Sequence, residues 1–297
     1  MRPALSTVFA SVRQGGDGAL SPAAIVDLCL HAEAAAVVLD GAMRPALYEP
    51  LVHELARRGD ELPLLAIEAP CPTPTRAGAR EPALSAADRD EAQAALEAAA
   101  ATVRRAAELR APFVVVRLGE VEPAAADWAY ARDQFLRGAL DASLAQRLLA
   151  ARDDVAERAL DGARRALDRL AREAERAGAV LLVRNGRRYV DVPSPRELDR
   201  LREELRGAPI LPACDVPAAH LTDVMGFAPM ALTLAAYSDA PLWYWGDACG
   251  PVGALAPGRG IVDLAAARAS IGKEARLAFS PWPGLSVDEV VESMSRF

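Results

Sequence analysis

Apolar residues along this chain come in two alternating rhythms. Short continuous runs rich in Val, Leu, Ile and Ala cover 4–11, 35–40, 62–68, 112–118, 179–184, 209–214, 241–245 and 275–280, and they read as eight strands. A run without alternation marks a strand covered on both faces. Between the runs lie stretches of helical spacing. Over 156–177, for instance, Leu160, Ala163, Leu167, Leu170 and Ala174 recur at steps of three and four and line one face. Strand and helix in alternation predict a parallel sheet. Eight such units in 297 residues fit a (β/α)8 TIM barrel, one domain spanning 1–297, better than an open dinucleotide-binding sheet. No GxGxxG follows the first strand, which weakens that alternative further. Segment 120–152 is longer than an ordinary βα loop and predicts a helical insertion after the fourth strand. It lies either over the barrel mouth or at the periphery.

Composition narrows the class. Hydrophobic residues make up 52% and charged residues 25%, which suits a folded chain with a sizeable core. A net charge of -7 argues against tracking a phosphate backbone, so no nucleic-acid partner is expected. No apolar run reaches the roughly 18–20 residues of a membrane helix, so no membrane partner is expected either. Cys29, Cys71, Cys214 and Cys249 are widely spaced, with no CxxC pair and nothing like a secretory leader before them. They read as reduced thiols in a cytoplasmic protein. Lys273 is the one lysine, and the arginine and alanine bias reads as genomic composition.

In a barrel of this kind the functional groups sit at the carboxyl ends of the strands. The polar residues there are Ser11 and Arg13 after strand one, Asp40 and Arg44 after strand two, and Glu68 on strand three. Strand four offers Arg117 and Glu120; strand five offers Arg184, Asn185, Arg187 and Arg188. Asp215 and His220 follow strand six, and Tyr244 and Asp247 mark strand seven, with Arg259 in the "PGRG" loop beyond it. Ser280 and Trp282 close the set. Arginine keeps its charge and presents a fixed fork of donors, so several at one mouth favour an anionic ligand. The competing reading is an internal network in which Arg117 and Arg184 pair with Asp215, Asp247 or Glu120. Arg187 and Arg188 read as solvated loop charges. His31 and His53 fall within predicted helices, which leaves His220 as the histidine near a strand end. That is too few imidazoles and carboxylates for an ordinary metal site.

Four segments in order resemble the xylose isomerase-like barrel family, which includes sugar-phosphate isomerases and epimerases: "LLVRNGRRYVDVPSPRELDRL", "CDVPAAHL", "WYWGDACGPVGALAPGRGIVDL" and "LAFSPWPGLSVDEVVESM". The likeness covers residues 85–297 and extends to the N-terminal third only in rhythm. It implies the barrel fold and a divalent metal held by Glu, Asp, His and Glu after strands five to eight. At those positions this chain has Arg184, Asp215, Tyr244 and Ser280, so three of the four ligands are replaced. The histidine of the family's "GH" pair falls on Ala218, and a fourth-strand histidine falls on Arg117. A guanidinium at 184 could neutralise Asp215 without any ion, which predicts an Arg184–Asp215 contact, a degenerate metal site and no cofactor.

Two functions follow. One is metal-free, isomerase- or epimerase-like action on a small polar, anionic, carbohydrate-like substrate. Asp215, Arg184, His220 and Glu68 would then be the catalytic candidates, and Arg117, Tyr244, Asp247, Arg259, Ser280 and Trp282 would bind substrate. The other is a pseudoenzyme: a non-catalytic binding or partner barrel. Whether the chain is an enzyme stays open, as do a repurposed lyase or hydrolase and a homo-oligomer. A metal-dependent endonuclease is excluded, because it needs several metals and a basic groove.

Overall fold

The eight apolar runs become the staves of a closed barrel. The computed structural model describes residues 2–11, 20–73, 83–121, 125–249, 252–255, 257–281 and 285–297. Its barrel strands are β1 (Ala4–Ser6), β2 (Val37–Leu39), β3 (Leu64–Ala69), β4 (Phe113–Val116), β5 (Val180–Arg184), β6 (Ile210–Asp215), β7 (Leu242–Trp245) and β8 (Arg276–Phe279). Each pairs in parallel with its sequence neighbours, and β1 pairs with β8 to close the ring. This is the (β/α)8 TIM barrel.

Side chains alternate along every strand, so each strand feeds two cores. Leu5, Val37, Leu39, Ile67, Val114, Val116, Leu181, Val183, Cys214, Trp243 and Phe279 face the helices. Ala4, Val38, Ala66, Val115, Leu182, Ala213, Leu242 and Ala278, one from each strand, lie in a separate interior cluster that Ala36 and Tyr244 also join. Two residues beyond each interior position, the same parity brings Ser6, Asp40, Glu68, Arg117, Arg184, Asp215, Tyr244 and Ser280 to the carboxyl end. The polar ring is thus a consequence of period two applied to eight strands.

Helix starts and stops follow side-chain chemistry. Arg89–Glu108 begins at Asp88, whose carboxylate accepts from the Asp90 and Glu91 amides. Pro195–Glu204 begins with a Ser194/Glu197 capping box inside the "PSPREL" segment. The helix predicted over 156–177 is longer than expected. It runs from Ala142 to Ala177, capped by Asp141 and ended by Gly178 at φ 65. No break separates the 120–152 insertion from the 156–177 helix, because Ala, Leu and Arg continue through 142–177 with no proline to break the turn. A shorter helix, Ala125–Leu136, precedes it.

Three further differences concern the strand ends. The first strand, predicted over 4–11, stops at Ser6; a turn closed by the Ala10 amide and the Thr7 carbonyl at 2.9 Å leads into the short helix Val8–Ser11. Gly119–Glu120 pairs antiparallel with Asp191–Val192, which ties the loop after β4 to the loop after β5. Asp247–Cys249 pairs with Val252–Leu255 in a second small ribbon after β7.

Candidate functional site

Arg184 is the last residue of β5 and, by strand parity, points into the barrel. It is 3% exposed, a degree of burial that a guanidinium tolerates only when its charge and donors are matched. Its Nη2 and Nε donate to Asp215 Oδ2 at 2.5 and 3.1 Å, and Nη1 donates to Glu68 Oε1 at 3.0 Å. The Tyr244 ring lies against the guanidinium, with Cζ 3.7 Å from the ring centroid, which adds a cation–π contact. The Arg184–Asp215 contact expected from the sequence is therefore present, and Glu68 and Tyr244 complete it.

Every carboxylate oxygen of the two acids accepts at least one hydrogen bond. Asp215 Oδ1 caps the helix Val216–Val224 by accepting from the Ala218 amide at 3.0 Å. Its backbone is fastened to Asn185, which donates to the Asp215 carbonyl at 3.0 Å and accepts from the Asp215 amide at 2.5 Å. Glu68 Oε2 accepts from Arg117 Nη2 at 3.3 Å. Burial alone would raise the Asp215 pKa, but Arg184 and Arg187 outweigh it and hold the carboxyl below its ordinary range. Burial would likewise lower the Arg184 pKa, and Asp215 and Glu68 reverse that. Burial pushes the Tyr244 hydroxyl well up, Glu68 pushes it further, and Arg184 only partly counters them. The hydroxyl feels the Glu68 charge yet makes no hydrogen bond of ordinary geometry. The phenol stays protonated.

A general base works best with a pKa near the working pH and a free lone pair aimed at substrate. The Asp215 pKa is lowered away from that range, and oxygens of both Asp215 and Glu68 already accept from arginines. The residues also do not fit a divalent cation. A guanidinium lies directly between Glu68 and Asp215, and among the described residues no group of three or more His, Cys, Asp or Glu is arranged to hold a metal.

Above this closed centre lies an open cavity of about 570 Å³. Arg117, Arg184, Arg187 and Asp215 form its barrel side, and Trp128 and Arg132 of the helix Ala125–Leu136 face them across it. Arg187, expected as a solvated charge, has its side chain 45% exposed within this space, 3.8 Å from Asp215 Oδ2. Asp215 tends to raise its pKa, but burial and the neighbouring guanidiniums of Arg184 and Arg117 lower it on balance. Arg188 is not free either: it pairs with Glu120 and Asp191 at 2.6 Å each. Trp128 and Arg132 carried no motif; their spacing of four within a helical segment was the available signal.

Of the residues picked out from sequence, Glu68, Arg117, Arg184, Asp215 and Tyr244 converge. His220 does not join them: it sits on the helix Val216–Val224, buried, and its Nε2 has no hydrogen-bond partner among the described residues. Asp247 is a loop staple, accepting from the Ala248, Val262 and Gly258 amides at 2.8, 2.9 and 3.0 Å. Arg259 is exposed and pairs with Glu292 at 3.2 Å. Ser280 follows β8, half-buried. Trp282 lies outside the described residues.

No protein-family profile matches the chain, and no curated protein matches it. Solved structures do. A D-tagatose 3-epimerase-like protein superposes with a TM-score of 0.70 at 12% identity, covering 100% of this chain and 95% of its own. A xylose isomerase candidate from Rhodospirillum rubrum ATCC 11170 gives 0.69 at 15% identity, covering 99% and 97%. The 3-keto-D-glucoside 4-epimerase of E. coli gives 0.65 at 14%, covering 100% and 98%. At such identities the likeness is one of fold: this chain has the TIM barrel of these sugar isomerase- and epimerase-type structures over essentially its whole length.

Proposed function

We propose that this chain is a ligand-binding barrel of the sugar isomerase and epimerase type in which Arg184 stands where a divalent cation would be, and that it takes a small polar, carbohydrate-like molecule at its mouth. One observation carries the reading: the Arg184 guanidinium is buried between Asp215 and Glu68 and occupies an oxygen of each, the place a cation held by these two acids would take. The carbohydrate class comes from the named activities of the structural neighbours. An open cavity of about 570 Å³ is the right size for such a ligand. Metal-free isomerisation or epimerisation is the weaker reading. Arg187 or Arg117 could stabilise an enediolate, but the candidate bases are poorly placed for the proton transfer: Asp215 and Glu68 already accept from arginines, and His220 sits on the helix Val216–Val224.

The test has two parts. Metal analysis of the purified protein, with melting curves with and without EDTA, is expected to give no stoichiometric metal and unchanged curves. A stoichiometric divalent ion that raises the melting temperature would overturn the cation replacement. Ketoses and aldoses incubated with the protein in deuterated water are expected to gain no deuterium beside the carbonyl; incorporation above a no-protein control would establish catalysis and end the binding-only reading.

A further inference from the structure

We infer that the mouth cavity selects an anionic group, a carboxylate or a phosphate carried on the small polar ligand, and that Arg187, supported by Arg117 and Arg132, is what holds it. This rests on the ligand-binding reading above and adds the ligand's charge to it.

The first argument is charge. Five arginines, at 117, 132, 184, 187 and 188, line the cavity against three carboxylates, at 120, 191 and 215. The difference, five minus three, leaves the lining itself with positive charge in excess. The carboxylates lie deep or at the side, and each already meets a guanidinium: Glu68 and Asp215 meet Arg184, while Glu120 and Asp191 meet Arg188. They present little repulsion to an incoming anion. The excess sits on the groups that face open space, where crowding by the Arg184 and Arg117 guanidiniums adds to burial in lowering the Arg187 pKa against the pull of Asp215. An anion relieves that crowding, whereas a neutral polyol leaves it in place.

The second argument is preorganisation. Arg187 approaches Asp215 to 3.8 Å, close enough for attraction and too far for a hydrogen bond, so its donor fork remains available. Its backbone is fixed nonetheless. Asp191 Oδ2 accepts from the Arg187 and Arg188 amides at 2.9 and 3.0 Å, and Arg188 Nε donates to Asp191 Oδ1 at 2.8 Å. From behind, Arg152 Nη2 donates to the Asp191 carbonyl at 3.1 Å. Gly186 is required by this closure, because a Cβ there would lie 2.1 Å from Asp191 Cβ. A loop fastened by four hydrogen bonds, ending in a guanidinium that is ion-paired with Asp215 but not hydrogen-bonded to it, is a prepared anion contact beside the cavity. Arg132 and the Trp128 ring close the opposite wall, the ring offering an apolar face to the body of a sugar.

The experiment is titration calorimetry on the full chain with four probes: D-glucose, D-gluconate, D-glucose 6-phosphate and inorganic phosphate. We expect D-gluconate or D-glucose 6-phosphate to bind at least about tenfold more tightly than D-glucose, with the advantage shrinking as salt is raised. Whichever of the two binds more tightly identifies the anion as carboxylate or phosphate. Arg187→Gln should remove roughly tenfold of that affinity, the scale of one charge-assisted contact; Arg187→Lys should restore part of it. Both variants should melt with the wild type, since the side chain is half-exposed. Equal binding of D-glucose and the anions overturns the anion selectivity and leaves the ligand-binding reading standing. Inorganic phosphate alone binding as tightly as D-glucose 6-phosphate overturns the sugar-linked anion. Wild-type affinity in Arg187→Gln overturns the role of Arg187. If thermal-shift screening of sugars, sugar acids and sugar phosphates finds no binder at all, the ligand-binding reading itself fails.

Discussion

Replacing Arg184 by Met removes the charge at the barrel centre while keeping most of the side-chain volume. Glu68 and Asp215, 5% and 2% exposed, then face each other without the cation between them. Removing one partner from a buried ion pair costs about 3–5 kcal/mol. The cation over Tyr244 contributes about 1–2 kcal/mol when desolvated, and a Met sulfur against the same ring returns up to about 1 kcal/mol of it. Arg117 at 3.3 Å from Glu68 and Arg187 at 3.8 Å from Asp215 can move inward and reduce the damage. A net loss of about 3–4 kcal/mol is expected. At about 2–4 °C per kcal/mol for a domain of middling size, the melting temperature should fall by roughly 10 °C. Urea unfolding by circular dichroism at pH 7 measures the loss directly. The cause has its own signature. Without Arg184 the burial that raises the Asp215 pKa loses its largest opponent, so the penalty is full at neutral pH and fades as pH falls toward about 4, where both states hold the proton. The gap between variant and wild type should therefore close on acidification. Adding Glu68→Gln and Asp215→Asn to Arg184→Met should recover much of the loss, because Asn still caps the helix. A single variant within about 1 kcal/mol of wild type, or a gap indifferent to pH, would refute the matched-charge centre.

Asp215 makes a complementary prediction for the wild type. Its folded pKa is depressed, so its contribution is complete above the unfolded value near about 4 and is lost as pH falls through the folded one. The urea midpoint should decline below about pH 4, and Asp215→Asn should flatten part of that decline; an unchanged slope would count against the assignment. Asp247→Ala should cost about 3 kcal/mol by leaving three loop amides without their acceptor. Calorimetry should find ligand affinity nearly untouched, and a selective loss of affinity would place Asp247 in the site after all.

The barrel was legible because its signal is redundant. Eight apolar runs at βα spacing survive errors at any one boundary, and tertiary packing only trimmed them, as at 4–11, where the strand ends after Ser6. The converging residues were legible for a related reason: a polar residue two positions beyond an inward apolar one, as Arg184 is beyond Leu182, inherits its direction. What could not be read were features set by contacts between loops. Two residues, Gly119 and Glu120, pairing with Asp191 and Val192 carry no periodicity. Arg187 looked like a loop charge because its direction is set by Asp191 accepting backbone amides, which no pattern of side-chain types announces. His220 and Asp247 show the opposite case, residues that the structure sets apart from the converging group. Both follow a strand end in the chain, but a helix begins at Val216 and a ribbon at Asp247, and each turns its residue into structure.

Two guanidiniums carry the charge of one divalent cation, and here Arg184 and Arg117 against Glu68 and Asp215 sum to zero, as such a cation would with the same acids. The equivalence ends with charge. A metal in a catalytic site keeps an open position where a substrate oxygen can bind and be polarised. A guanidinium has only planar donors, and those of Arg184 lie against Asp215 Oδ2, Glu68 Oε1 and the Tyr244 ring. Neutralisation of the acids is preserved, while the vacancy needed for polarisation is filled by the fork itself. Any ligand therefore meets the layer above, where Arg187 is pinned by its backbone and its tip is ion-paired with Asp215 but not hydrogen-bonded to it. Under the anion proposal, the positive charge that a ligand can reach lies outward of the Arg184 centre, at Arg187.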